Sequence, residues 1–344
     1  MTTHSTKFDR NDILRRAHGC LAGVAFGDAM GMPTSLFTPS QVRETYPDGV
    51  HSFLPAPPGH LIHDGMVAGS ITDDTQQTVL IAEYLLSDGK ADAEKLAWSL
   101  IRWAESVGGF DTQYLGPSTR RALEFIKKGG SIEDSGWMGD TNGAAMRISP
   151  VGIIHPGDFD AVVRDAAQVC KPTHNTNVAI SGASAIACAI AAGMAGEKTS
   201  AVVDAFLYGA EKGLNYGNSW AAASIQRRTL WALDLAKRSS SESEFWQDLY
   251  DLIGAGVAMT ETAPVAIALV SHYDGDPMEV VRATANMGGD ADTIGAIAGS
   301  IAGAMGGLDA FPKEMVDQIE EVNKLNLADL ASRLTDKALE NTNG

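Results

Sequence analysis

The stretch GGDADTIGAIAGSIAGA, residues 288–304, governs how the rest of the chain is read. Its apolar residues follow helical spacing, and Gly295, Gly299 and Gly303 recur at every fourth position. Residues four apart share one helix face, so 292–305 is expected to form a helix with a smooth glycine stripe. Near the other end of the chain, Gly19, Gly23 and Gly27 repeat the pattern inside an expected helix over 11–27. An interior glycine costs about 1 kcal/mol relative to alanine. Two such stripes therefore point to helices crowded into a core, with their ends held rigidly. Carboxylates stand at those ends: Asp28 follows the first stripe, and Asp290 and Asp292 precede the second.

Outward from these two segments, strand signals are scarce and apolar runs mostly keep helical spacing. Further helices are expected over 73–88, 91–106, 117–128, 158–169, 176–195, 199–213, 217–238, 243–256, 262–270, 277–285, 312–323 and 326–340. The fold class is all-α. No linker interrupts the pattern, so residues 1–344 read as one large domain. Residues 34–70 are rich in Pro and Gly and read as an irregular loop region covering the site.

The chain is 44% hydrophobic and 20% charged, an ordinary globular composition, with a formal net charge of −17. Such a surface repels phosphate backbones, so naked nucleic acid is not an expected partner. Cys20, Cys170 and Cys188 cannot pair completely and show no CxxC spacing, which suits a reducing, cytoplasmic compartment. The start MTTHSTKFDR lacks the apolar core of a signal peptide. Val178–Ala195 is long and apolar, but its Ala, Gly and Ser content reads as a buried central helix and not a membrane span. Oligomeric state is not legible.

Two acidic clusters carry the chemistry. Thr72-Asp73-Asp74-Thr75 precedes the apolar run Val79–Leu86, and Gly289-Asp290-Ala291-Asp292-Thr293 precedes the second striped helix. Either one alone is explained as a helix N-cap. A cap needs one side-chain acceptor, whereas each cluster offers two Asp and a Thr. Adjacent carboxylates repel unless a cation sits between them. Ionised Asp oxygens with Thr hydroxyls are hard ligands, suited to Mg2+ or Mn2+ rather than zinc. Two such ions, roughly 3.5–4 Å apart, would polarise substrate oxygens and lower the pKa of a bound water.

With these segments in order, the chain resembles the ADP-ribosylglycohydrolases, including dinitrogenase-reductase-activating glycohydrolase and the crystallin relatives. The matching segments are GDAMGMP (27–33), TDDT (72–75), NGAAMR (142–147) and GGDADTIGAIAGSIAGA (288–304). The resemblance implies an all-α fold with a binuclear magnesium site. It implies Thr72, Asp73, Asp74, Asp290, Asp292 and Thr293 as metal ligands. Asn142, Gly143 and Met146 match the loop that holds diphosphate and ribose, and His174 matches a histidine near the ribose. Asp28 and Gly289 fall in the same substrate-facing segments. Asp111 matches an acidic position that steers the attacking water, with Asp74 and Asp292 as its catalytic companions.

One departure bears on the substrate. Family members acting on modified proteins often read GDAxGxPxE, and Ser35 stands where that glutamate would be. The implied reaction is magnesium-dependent hydrolysis of a ribosyl or ADP-ribosyl N- or O-glycosidic bond. Ser35 opens the alternative of a small free ribonucleoside or ADP-ribose conjugate as substrate. A non-catalytic, crystallin-like binding protein is the reading from a different class.

Other residues divide less sharply. His60-Leu61-Ile62-His63-Asp64 reads as a mobile loop able to close over a substrate more than as a metal half-site. Arg147 suits either a phosphate contact or a salt bridge to a surplus carboxylate. Trp103, Trp137 and Trp220 are candidates to stack on a base, Trp137 foremost because it sits just before NGAAM, although such residues are more often core or rim aromatics. Cys188, inside the apolar helix, reads as an inert thiol. GxSxG, HExxH and Walker-type signatures are missing from the sequence, which removes support for serine-hydrolase, zinc-peptidase and kinase readings.

Overall fold

The computed structural model describes residues 8–88, 91–112 and 114–343. In chain order the helices are α1 (Arg10–Gly31), α2 (Pro39–Thr45), α3 (Asp73–Asp88), α4 (Ala93–Ser106), α5 (Pro117–Lys127) and α6 (Ile132–Ser135). They continue as α7 (Ser149–Ile153), α8 (Phe159–Cys170), α9 (Asn177–Met194), α10 (Thr199–Gly213), α11 (Ile225–Arg238) and α12 (Glu242–Asp248). The last are α13 (Met259–His272), α14 (Pro277–Met287), α15 (Ala291–Gly306), α16 (Lys313–Asn323) and α17 (Leu327–Asn343). Extended pairing among the described residues is confined to isolated bridges, one of them Phe37 with Gly289. The all-α expectation holds.

The expected helices are present, with three short additions and two shifted ends. The expected start of α11 at 217 is wrong: Gly217 turns with φ +72, and the helix begins only where Ser224 caps the N–H of Arg227. The helix expected over 243–256 ends earlier, its last turn widening to a π-helix at Leu249–Ile253 before Gly254 stops it at φ +93. Within the supposedly irregular 34–70, α2 forms because Thr38 and Gln41 build a reciprocal capping box. The short α6 and α7 were also not expected.

The two glycine stripes face each other. A Cβ added at Gly23 would fall 2.0 Å from the carbonyl oxygen of Gly299, and one at Gly19 would fall 2.4 Å from that of Gly303. The pairing of Gly19 with Gly303 and of Gly27 with Gly295 makes α1 and α15 antiparallel, backbone against backbone. Gly31 extends the seam, meeting Ala291. Side chains would hold the two axes farther apart, so the seam brings the C-terminal end of α1 against the N-terminal end of α15. Helix α9 packs beside them, 94% buried over Asn177–Met194, as the central helix that its Ala-rich sequence suggested. One apolar core runs continuously from Ile13 in α1 to Ala338 in α17.

Candidate active site

The seam ends where the chemistry begins. Asp28, in the last turn of α1, is fully buried. Its carboxylate accepts the backbone N–H groups of Thr72 (3.0 Å) and Thr75 (3.1 Å), and the Thr75 hydroxyl at 2.5 Å. The N-terminus of α3 is therefore capped by a residue from another helix, which satisfies its free donors. That cap directs the two following carboxylates, Asp73 and Asp74, toward the N-terminus of α15.

Asp74 is buried. Its Oδ2 accepts the hydroxyls of Thr72 at 3.0 Å and Thr293 at 3.4 Å, while its buried Oδ1 has no protein partner. Asp290 Oδ2 accepts the Asn142 side-chain amide at 2.5 Å, which ties the NGAAM loop to α15. Asp292 Oδ1 accepts the Ser35 hydroxyl at 2.7 Å, and its Oδ2 lies 2.9 Å from His63 Nε2. Asp73, Asp74, Asp290, Asp292, Thr293 and His63 line a cavity of about 630 Å³, with Asp111, Asn142, Gly143 and Met146 around its wall.

Crowding of buried like charges shows in proton affinities. Burial, then Asp292 and Asp28, push Asp73 up to about 7. Burial and Asp292 push Asp290 up to about 8, against the Asn142 hydrogen bond. Asp74 rises well above the carboxylate range for the same reasons, burial first and then Asp28 and Asp73. Asp292 is the exception. Burial raises it too, but the hydrogen bond and charge of His63, with Ser35 and the Thr293 N–H, outweigh burial and hold it low.

The residues suit a hard divalent cation. A buried carboxylate oxygen without a partner, three acids favouring their neutral form and two Thr hydroxyls are what hard-cation ligands look like when no cation neutralises them. Among the described residues no three His, Cys, Asp or Glu side chains close on one point. The hydroxyls of Thr72 and Thr293, with water, would have to complete a coordination shell.

Thr72, Asp28, Ser35, His174 and Gly289 stand behind the lining instead of in it. Asp28, expected at the substrate, caps α3. Gly289 has φ +77 with its N–H on Phe37 O at 2.8 Å, and a Cβ there would fall 2.2 Å from the Ala255 carbonyl. His174 sits directly behind Gly143, held between Thr173 (2.8 Å) and Thr141 (2.9 Å). Arg147 does not line the cavity and, among the described residues, pairs with no carboxylate. Fully buried, it donates to Gln77 Oε1 (2.5 Å) and Thr173 (2.8 Å), and Gln77 in turn donates to Asp73 (3.0 Å). One network thus runs from Asp73 to Thr141 beneath the cavity.

Of the two readings of the tryptophans, the core or rim one fits. Trp103, Trp137 and Trp220 do not line the cavity; Trp103 donates to Gln76, and Trp220 to Asp140. The lining aromatics are Phe110 and Tyr114, which flank Asp111 in a segment already singled out for its acid. His60 and His63 form no free-swinging loop: both rings are buried and stack at 5.1 Å. Their spacing gave no sign of a partner so distant in sequence.

The family model for ADP-ribosylglycohydrolase matches residues 9–343. The chain belongs to the ADP-ribosylglycohydrolase family. Members of this family are hydrolases that cleave glycosidic bonds, and they act on ADP-ribosylated substrates. The chain is 35% identical to the uncharacterized protein YegU of Escherichia coli (strain K12) over 93% of its own length and 96% of that protein's. It is 28% identical to the ADP-ribosylarginine hydrolase Tri1 of Pseudomonas putida (strain GB-1), covering 94% of this chain and 79% of that one. A solved ADP-ribosylglycohydrolase-related protein complex shares the fold, with a TM-score of 0.68 at 23% identity, over 95% of this chain and 99% of that one.

Proposed function

We propose that the chain is a magnesium-dependent hydrolase of a ribosyl or ADP-ribosyl N- or O-glycosidic bond, with Mn2+ able to replace Mg2+. The observation that carries this reading is the unpartnered, buried Oδ1 of Asp74 beside Asp73, Asp290 and Asp292 in one cavity. Thr72, Asp73, Asp74, Asp290, Asp292 and Thr293 would hold two ions. Bound there, the cations neutralise the carboxylates and supply Lewis-acid polarisation of substrate oxygens. Asn142, Gly143 and Met146 form the wall against which a ribose would rest. Asp111, exposed at the rim, is free to accept a proton from an incoming water. An oxocarbenium-like transition state gains from the nearby carboxylates. A cytoplasmic, reducing setting suits Cys20, Cys170 and Cys188, all unpaired and buried.

A second reading keeps the mechanism and changes the substrate to a small free ribonucleoside or ADP-ribose conjugate. It is supported by Arg120, the arginine of the lining, whose guanidinium is taken up by the carbonyls of Phe110 (2.6 Å), Gly109 (2.9 Å) and Thr112. That guanidinium is not available to a diphosphate, which favours the free ribonucleoside over the ADP-ribose conjugate within this reading. A mass-spectrometric hydrolysis screen, with magnesium and with chelator, tests both readings. The panel holds ADP-ribosyl-arginine, ADP-ribosyl-serine peptides, O-acetyl-ADP-ribose and ribonucleosides. Magnesium-dependent turnover of one class names the substrate, and turnover unaffected by chelator overturns the cation's role.

A further inference from the structure

Asp292 has nearly all of its hydrogen-bonding capacity committed before any ligand arrives. Oδ1 accepts the Ser35 hydroxyl at 2.7 Å and the Thr293 backbone N–H at 3.0 Å, and Oδ2 lies 2.9 Å from His63 Nε2. An ionised carboxylate offers roughly four acceptor positions. Three are occupied, and the one that stays open belongs to Oδ2. Asp292 itself lines the cavity.

The arm that delivers His63 is fastened to the segment it serves. His60 Nδ1 accepts the His63 N–H at 3.1 Å, and the His60 ring stacks on both His63 and Phe37, at 5.1 and 5.3 Å. Phe37 is in turn bonded through its backbone oxygen to the N–H of Gly289 at 2.8 Å, three positions before Asp292. The contacts form a closed ring: Gly289, Phe37, His60, His63, Asp292. Both side-chain donors on Asp292, a hydroxyl and an imidazole N–H, add no negative charge to a site already crowded with carboxylates. A glutamate at position 35 would add one.

We infer that His63 is a positioning residue: with Ser35 it holds the Asp292 carboxylate in one orientation, leaving a single acceptor position, and so sets the affinity of the site for a divalent cation. This rests on the cation reading proposed above. Groups that orient a metal-binding side chain typically change affinity by about 10–100-fold when removed.

Calorimetric titration of the intact chain with Mg2+ and with Mn2+ tests the inference, in the wild type, His63→Ala, His63→Gln and Ser35→Ala. His63→Ala is expected to weaken cation binding about tenfold or more. His63→Gln, whose side-chain amide offers an N–H at similar reach, is expected to recover most of that loss. Ser35→Ala is expected to weaken binding in the same direction and serves if His63→Ala does not fold. Binding by His63→Ala within about twofold of the wild type, or tighter, overturns the inference and leaves the cation reading standing. A wild type that takes up neither cation overturns both.

Discussion

A Cβ placed on Gly27 would fall 1.9 Å from the carbonyl oxygen of Gly295, so the two helices that frame the site touch through bare backbone. Neither backbone can give way without moving Asp28 or Asp292. Gly27→Ala is expected to destabilise the fold by about 2–3 kcal/mol or more, as overpacking does in tight cores. Urea denaturation of the variant measures this. A variant as stable as the wild type would mean the seam is looser than its distances indicate.

Asp28 holds the first turn of α3 from outside it. Asp28→Ala leaves the N–H groups of Thr72 and Thr75 and the Thr75 hydroxyl without their acceptor. Losing hydrogen bonds to a charged group costs about 1.5–3 kcal/mol. Loss of turnover should accompany this, because Asp73 and Asp74 are aimed by the same turn. Denaturation and activity measured on one preparation check the pairing of the two effects.

Asp111 and Asp74 should fail differently. Asp111→Asn removes a proton acceptor at the rim and is expected to lower kcat by about 10²–10⁴-fold with little change in KM. Asp74→Asn acts on the cation site and is expected to weaken magnesium binding in calorimetry as well. Equal magnesium affinity in Asp74→Asn and the wild type would remove Asp74 from the ligand set.

Burial, then the charges of Arg147 and Arg121, hold His174 well below its ordinary value of 6.5. The unfolded chain therefore takes up a proton there that the folded chain refuses. The stability this ring contributes when neutral is complete above about pH 6.5 and falls by about 1.4 kcal/mol per pH unit below it. The raised carboxylates Asp28 and Asp73 run the opposite way. The informative quantity is therefore the wild type minus His174→Gln, from urea melts across a pH series. Parallel pH dependence in the two proteins would exclude the assignment.

Much of this architecture is legible in the residues because helical periodicity is local. Both glycine stripes and both acidic clusters lie on the helices and helix starts where their spacing puts them. Their mutual arrangement is not local. Nothing in four-residue spacing says that Gly23 meets Gly299, or that Asp28 caps a turn 44 positions away. His63 reads as part of a Pro/Gly loop because its partner, Asp292, lies 229 positions downstream. The tryptophans follow a related rule: proximity in sequence to NGAAM made Trp137 the foremost stacking candidate, but the residue is 53% exposed and outside the cavity lining, as a rim aromatic would be.

The seam also dictates an order of events during synthesis. Ser35 and Asp292 are separated by 257 positions, and the whole site depends on contacts of that span. Long-range contacts of this kind are slow to form, and partly built chains expose surfaces meant for later elements. Until α15 leaves the ribosome, the bare backbone face of α1 has nothing to lie against, and Asp28, Asp73 and Asp74 have no opposing wall. A chain interrupted between residues 147 and 289 would carry Asp28, Asp73 and Asp74 with part of the cavity wall, but neither Asp290 nor Asp292 opposite them.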